Sequence, residues 1–180
     1  MQYSIIFSYG LVVFGVVAAI LALFTMLRIK KNSGTTLDKL PRNVILGAII
    51  GIIDIAWCVP QAIEIFSIKS PDVIIIVAVI CAIIGILFLD YLFTRALAGF
   101  LILLAHYFLW QSFGADVSSI WLFSSACLVM GTFGIVIGGV PHLFRDFLRS
   151  LVINPKWKLI FSFILLFYAV IGIYYGIVLI

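Results

Sequence analysis

Asp54 stands halfway along the apolar run Asn43 to Phe66. A carboxylate in such a run can bind a proton or a cation, and at ~1.5 Å rise per residue it falls near the centre of a bilayer. Burying it ionised costs roughly 2.5–3.5 kcal/mol on insertion scales, so it calls for a partner, a water-filled cavity or a function. At about 100° per residue, Asn43, Gly47, Gly51, Asp54, Cys58 and Gln61 fall on one stripe, with Trp57 and Glu64 at its flank. Gly47 and Gly51 form a small-x-x-x-small pair that admits a neighbouring backbone, so the stripe is expected to face protein. Asp54, Gln61 and Glu64 are thus the candidate intramembrane polar site. His106, at similar depth in a later run, is the expected fourth member. An Asp54–His106 hydrogen bond would offset the desolvation of the carboxylate and let the pair exchange a proton, or would serve as a structural clasp.

A second set of chemically able residues is His142, Arg145, Asp146 and Arg149. Arginines hold phosphate well and histidine works as an acid or base, so His142, Arg145 and Arg149 are candidate contacts for an anion or lipid headgroup. The plainer reading is of snorkelling residues at a membrane surface.

The elements that must position these residues follow from hydropathy. With 66% hydrophobic and 10% charged residues in 180, the chain is too apolar for a soluble domain of its size. The expected fold class is all-α: a polytopic integral membrane bundle of six transmembrane helices, near residues 4–27, 43–66, 73–93, 96–113, 118–141 and 159–179. Arg28, Lys30, Lys31, Lys39 and Arg42 fill the first connection, Arg95 the third, and Arg145, Arg149, Lys156 and Lys158 the fifth. Six spans put all of these on one side, with Lys69 opposite, so both termini are expected outside the cytoplasm, in a plasma or inner membrane. The net charge of +4 then describes loops beside anionic lipid, and nucleic acid is not an expected partner. The first run has no basic residue before it and a basic cluster after it, which reads as an uncleaved span.

Helical phase makes tertiary expectations too. Ser124, Cys127, Gly131, Gly134, Gly138, His142, Arg145 and Arg149 share a face of the fifth span, and this seam is expected to pack against the second span. Pro60 predicts a kink, because it cannot donate to the carbonyl of Ala56. Asp90 and Arg95 are expected to pair at a tight turn.

Val59-Pro60-Gln61-Ala-Ile-Glu-Ile-Phe66 echoes Val140-Pro141-His142-Leu-Phe-Arg-Asp-Phe147, and Ala82-Ile-Ile-Gly85 echoes Ala169-Val-Ile-Gly172. Spaced three helices apart, the echoes suggest two inverted three-helix repeats, an arrangement used by transporters. Pro60-Gln61 followed by Lys69-Ser70 also resembles the proline-glutamine loop motif of small sugar and amino-acid transporters. Those families use same-orientation three-helix units joined by a linker helix, a plan with more spans than this chain holds, and His142 stands in the glutamine position of the second copy. The chain is not assigned to them.

Other chemistries lack their residues. There is no His-Glu-x-x-His, no Gly-x-Ser-x-Gly, no Cys-x-x-Cys and no glycine-rich phosphate loop, so no catalytic residue and no metal site is assigned. Cys58, Cys81 and Cys127 all fall within spans. His106 and His142 differ in depth by roughly 15 Å, which does not suit one shared haem, and no cofactor is expected. The expected function is therefore a small-solute or proton-coupled transporter, or a channel-like protein, with a mid-membrane polar site. The alternative is a non-catalytic structural or accessory subunit whose partners are the lipid bilayer and other membrane subunits or a second copy. A lipid-headgroup enzyme at the cytoplasmic interface ranks behind both.

Overall fold

The computed structural model describes residues 2–29, 34–66, 71–114 and 120–179, and all elements among them are helical. They are α1 (Gln2–Arg28), α2 (Gly34–Lys39), a 3-10 turn (Leu40–Arg42), α3 (Val44–Phe66), α4 (Pro71–Phe88), α5 (Leu92–Gly114), α6 (Ile120–Gly139), α7 (Pro141–Ile153) and α8 (Pro155–Val178). Lys30, Lys31, Lys69 and Ser70 fall outside the described residues. Four helices have stretches long and apolar enough to cross a membrane: Ile5–Leu27, Leu92–Gly114, Trp121–Gly139 and Pro155–Val178. Val44–Pro60 and Asp72–Phe88 are shorter apolar helices. Large apolar side chains such as Ile6, Val17, Ile45, Ile76, Phe88, Leu128 and Ile164 are exposed, a surface suited to lipid and not to water.

Local chemistry explains where the helices start and stop. The Asn43 side chain accepts from the Leu46 N–H at 3.0 Å and caps α3. Val140 lies at φ −129°, ψ 72°, outside the helical region that a following proline disfavours, and Pro141 then opens α7. The fifth span therefore does not continue through Pro141 as expected; α7 is a separate amphipathic helix of 13 residues. Its apolar side, Phe144, Leu148 and Leu151, packs with Ala98 of α5 and Ile137 of α6, and its polar side faces away. Asn154 likewise caps α8 by accepting from Lys156 N–H at 3.1 Å, so α8 opens at Pro155, before the expected Leu159.

Helix α3 runs on through Pro60. The two copies of the proline echo thus fold differently, since Pro60 is inside a helix and Pro141 begins one.

Two antiparallel pairs make the core. In α1 and α8, Gly15 faces Ala169 and Ile173, Gly172 faces Leu11 and Gly15, and Gly176 faces Ser8 and Val12. A methyl group at Gly172 would stand 2.9 Å from the Leu11 carbonyl oxygen, so only glycine admits this approach. The seam ends in a 2.7 Å hydrogen bond between Thr25 and Ser162. In α5 and α6, Gly131 lies over Ala105, and Gly134 and Gly138 over Ala98. Phe7, Phe108, Phe123 and Tyr175 join the two pairs through edge-to-face aromatic contacts, for example Phe7 with Phe123 at 6.5 Å and 88°.

The α3–α4 hairpin is attached from outside. α3 packs along α5, and α4 packs chiefly on α3. No residue of α4 whose exposure is described is buried.

Candidate functional site

The expected packing of α3 on α6 is not found: α5 lies between them and receives the glycine stripes of both. The reason is that α5 offers small residues on two sides. Ala98 and Ala105 meet the α6 glycines, while Ala96 and Gly99 meet α3. Along the α3–α5 seam Gly47 abuts Leu92 and Phe93, Gly51 abuts Ala96, and Asp54 abuts Gly99, so the two helices run parallel in a constant register. A methyl at Gly47 would stand 2.5 Å from the Phe93 nitrogen, which makes this the tightest point of the seam.

Asp54 occupies the next step. Its Oδ2 lies 3.0 Å from where a Gly99 Cβ would stand, and its Oδ1 is buried without a hydrogen-bond partner. Beyond it, Trp57 meets Phe100 at 6.2 Å and Tyr107 at 5.7 Å, closing the seam with rings. Thus the carboxylate rests between a glycine and an aromatic cluster. An unsatisfied buried polar group of this kind costs about 1–3 kcal/mol.

His106 does not complete the site. It is exposed, with its ring 6.4 Å from that of Trp110 in a stacked pair. The register explains this: the residue of α5 opposite Asp54 is Gly99, and His106 follows seven positions later, roughly 10.5 Å along the axis at ~1.5 Å per residue. Depth alone could not have shown it, because depth does not say which residues are level once two helices are docked. The Gln61 and Glu64 side chains lie outside the described residues, and their backbones follow Asp54 on α3. Cys58 is exposed, as is Cys81, and Cys127 is buried; all three are free thiols. Among the described residues no group of three or more His, Cys, Asp or Glu could hold a metal ion.

The second set of expected residues is dispersed along α7. His142 and Arg149 are exposed, and Arg145 is drawn to Asp146 by an ion pair of 3.1 Å. The hydrogen bond to Asp146, and then electrostatic interaction with Tyr91 and with Asp146, hold the Arg145 pKa above its ordinary value. Asp90 and Arg95 do not pair: among the described residues Arg145–Asp146 is the salt bridge present. Five positions separate Asp90 from Arg95, about 140° around a helix, whereas favourable pairs are three or four apart.

Between them stands a residue that sequence reasoning passed over. Tyr91 has φ 57°, the left-handed region, and its hydroxyl accepts from Arg42 Nη2 at 2.9 Å. That backbone costs a non-glycine residue roughly 1–2 kcal/mol. The short Leu89-Asp90-Tyr91 link between two apolar helices was the available signal, since a reversal so tight often needs one left-handed residue. Comparison with protein-family models, curated proteins and solved structures finds no match to this chain.

Proposed function

We propose that the protein is a six-span integral membrane protein that moves a small solute coupled to a proton or another small cation, with Asp54 as the group that binds the coupling ion. One observation carries this reading: Asp54 Oδ1 is buried on the α3–α5 seam with no hydrogen-bond partner. A charge left uncompensated in an apolar environment is neutralised by a bound proton or cation, and intramembrane carboxylates of this type serve ion pathways. The attachment of the site also supports movement. α3 and α4 hang on the core through α5 alone as a main contact, so the hairpin can shift without breaking the aromatic core that joins α1, α5, α6 and α8. In this arrangement α3 and α4 complete the six spans, both termini lie outside the cytoplasm, and Arg42, Arg95, Arg145, Arg149, Lys156 and Lys158 share the cytoplasmic side.

The test is a pH-gradient assay in proteoliposomes that hold the purified full chain and a pH-sensitive dye. Wild-type protein is expected to dissipate the gradient when a transported solute is supplied, and Asp54→Asn to lose that flux by at least tenfold at an unchanged elution volume. Equal flux in the two proteins refutes the reading.

The exposed surface of α4 favours a second reading, that of an accessory subunit whose hairpin docks on another membrane protein or a second copy. Purification in mild detergent separates the two: a stoichiometric partner held through α4, together with unchanged flux in Asp54→Asn, selects the subunit.

A further inference from the structure

The basic end of the bundle holds a polar cluster that the Asp54 reading does not use. Three elements meet there: the 3-10 turn brings Arg42, the α4–α5 turn brings Tyr91, and α7 brings Arg145. Arg42 Nη2 donates to the Tyr91 hydroxyl at 2.9 Å while its guanidinium carbon lies 5.0 Å from the ring centre. Arg145 Nη1 approaches the same oxygen at 3.5 Å. The segment carrying Arg42 is itself anchored, because Pro41 is buried and its carbonyl oxygen faces the Thr94 hydroxyl at 3.5 Å.

Two guanidinium groups beside one neutral hydroxyl repel each other, so the cluster has an unmet need for negative charge. The acids that face it do not fill the need. Asp146 Oδ1 accepts from Arg145 Nε and Nη2, at 3.2 and 3.1 Å, and so is committed to one arginine. Asp38 adds an attractive field at Arg145 but forms no ion pair with either arginine, and its Oδ1 is buried without a hydrogen-bond partner. Arg42 pairs with no carboxylate among the described residues. His142 and Arg149 on α7, and Lys39 at the end of α2, are exposed and add no acid, while Asp90, the residue before Tyr91, is exposed and makes no salt bridge among the described residues.

The donor inventory matches an oxyanion. With its oxygen accepting from both arginines, Tyr91 has its own O–H left to give. Arg42 keeps Nε and Nη1, and Arg145 keeps a second N–H on Nη1. These donors belong to two guanidinium groups that meet at one hydroxyl oxygen, and guanidinium groups bind phosphate oxygens in a planar, two-pronged way.

We infer that Arg42, Tyr91 and Arg145 form a phosphate-binding site, whose ligand is the phosphate of an anionic lipid headgroup or a soluble phosphate at the membrane surface. Occupancy ties the first connection, the α4–α5 turn and α7 together.

Purified full-length protein tests this with two probes. Native mass spectrometry compares retention of phosphatidylglycerol with that of phosphatidylcholine, and thermal shift compares inorganic phosphate with chloride at equal ionic strength. Phosphatidylglycerol is expected to bind about tenfold more tightly than phosphatidylcholine, and Arg42→Gln to remove that preference while leaving the Arg145–Asp146 pair in place. Tyr91→Phe, which keeps the ring and loses the O–H, is expected to weaken binding about threefold to fivefold. Stabilisation by inorganic phosphate without lipid preference assigns the site to soluble phosphate, and lipid preference without phosphate stabilisation assigns it to lipid; both support the site. If neither probe binds, or if a folded Arg42→Gln protein binds as wild type does, the site is refuted. Should Arg42→Gln fail to fold, Tyr91→Phe carries the same comparison, and wild-type binding by it then refutes the site.

Discussion

The α1–α8 and α3–α5 seams are built on the same device and end differently. Both use glycines to bring two helix backbones together: Gly15, Gly172 and Gly176 in the first, Gly47, Gly51 and Gly99 in the second. The first then satisfies its polar groups, because Thr25 and Ser162 bond to each other at 2.7 Å. Thr25 also donates to the Ala22 carbonyl at 2.8 Å, within its own helix. The second leaves Asp54 Oδ1 with no partner. The direction of the helices differs as well, since α1 and α8 are antiparallel and α3 and α5 parallel. A glycine seam alone thus reports close packing, and a buried carboxyl oxygen left without a partner on one marks where stability has been given up.

Substitutions can break this comparison. The largest structural effect is expected in the closed seam, where Gly172→Val puts a side chain against the Leu11 carbonyl and the Gly15 backbone. It should cost about 3 kcal/mol, read by steric-trap unfolding in bicelles. Asp54→Leu should act in the opposite sense and stabilise by about 1–2 kcal/mol, because it removes a buried group with no partner. A loss of stability there would mean that Asp54 is satisfied, and the contrast between the seams would fall. Thr25→Val breaks the satisfied pair and should cost about 1 kcal/mol in the same assay. Gly99→Ala is a finer probe. Its methyl would meet Asp54 Oδ2 at 3.0 Å, so the carboxylate must shift, and pH-driven flux should fall several-fold with a stability change below about 1 kcal/mol. The smallest effect belongs to Gly51→Ala, whose methyl would meet Ala96 at an ordinary 3.9 Å; both stability and flux should stay within about 0.5 kcal/mol of wild type.

Much of the fold is legible in hydropathy. The expected runs at 4–27, 43–66 and 96–113 correspond to α1, α3 and α5 to within a few residues. The third run, expected over 73–93, ends at Phe88 as α4, and two other boundaries moved at prolines. Val140-Pro141 and Asn154-Pro155 each carry a proline that cannot continue the preceding ladder, and both mark helix starts in the structure. Reading the glycine-to-arginine face of the fifth span as one helix overlooked that rule, and so α7 was not foreseen. For the site, the stripe through Gly47, Gly51 and Asp54 does face a neighbour, but the neighbour is α5 and not α6. His106 shares a wheel position with Gly99, yet sits two turns further on, exposed beside Trp110.

Helical phase and apolar length are properties of a single segment, and they are enough to place Asp54 on a small-residue stripe in an apolar helix. Which residue stands opposite depends on register between segments, and register is set by where backbones can touch. Gly47 against Phe93 sets it here, and it is this contact that leaves Asp54 over Gly99 and out of reach of His106. The Arg42–Tyr91–Arg145 cluster has the same origin: its members are far apart in the chain and share no periodic signal. They meet because the 3-10 turn and the apolar side of α7 each pack against α5, the helix that Tyr91 directly precedes, and no one-dimensional pattern encodes a contact between three elements.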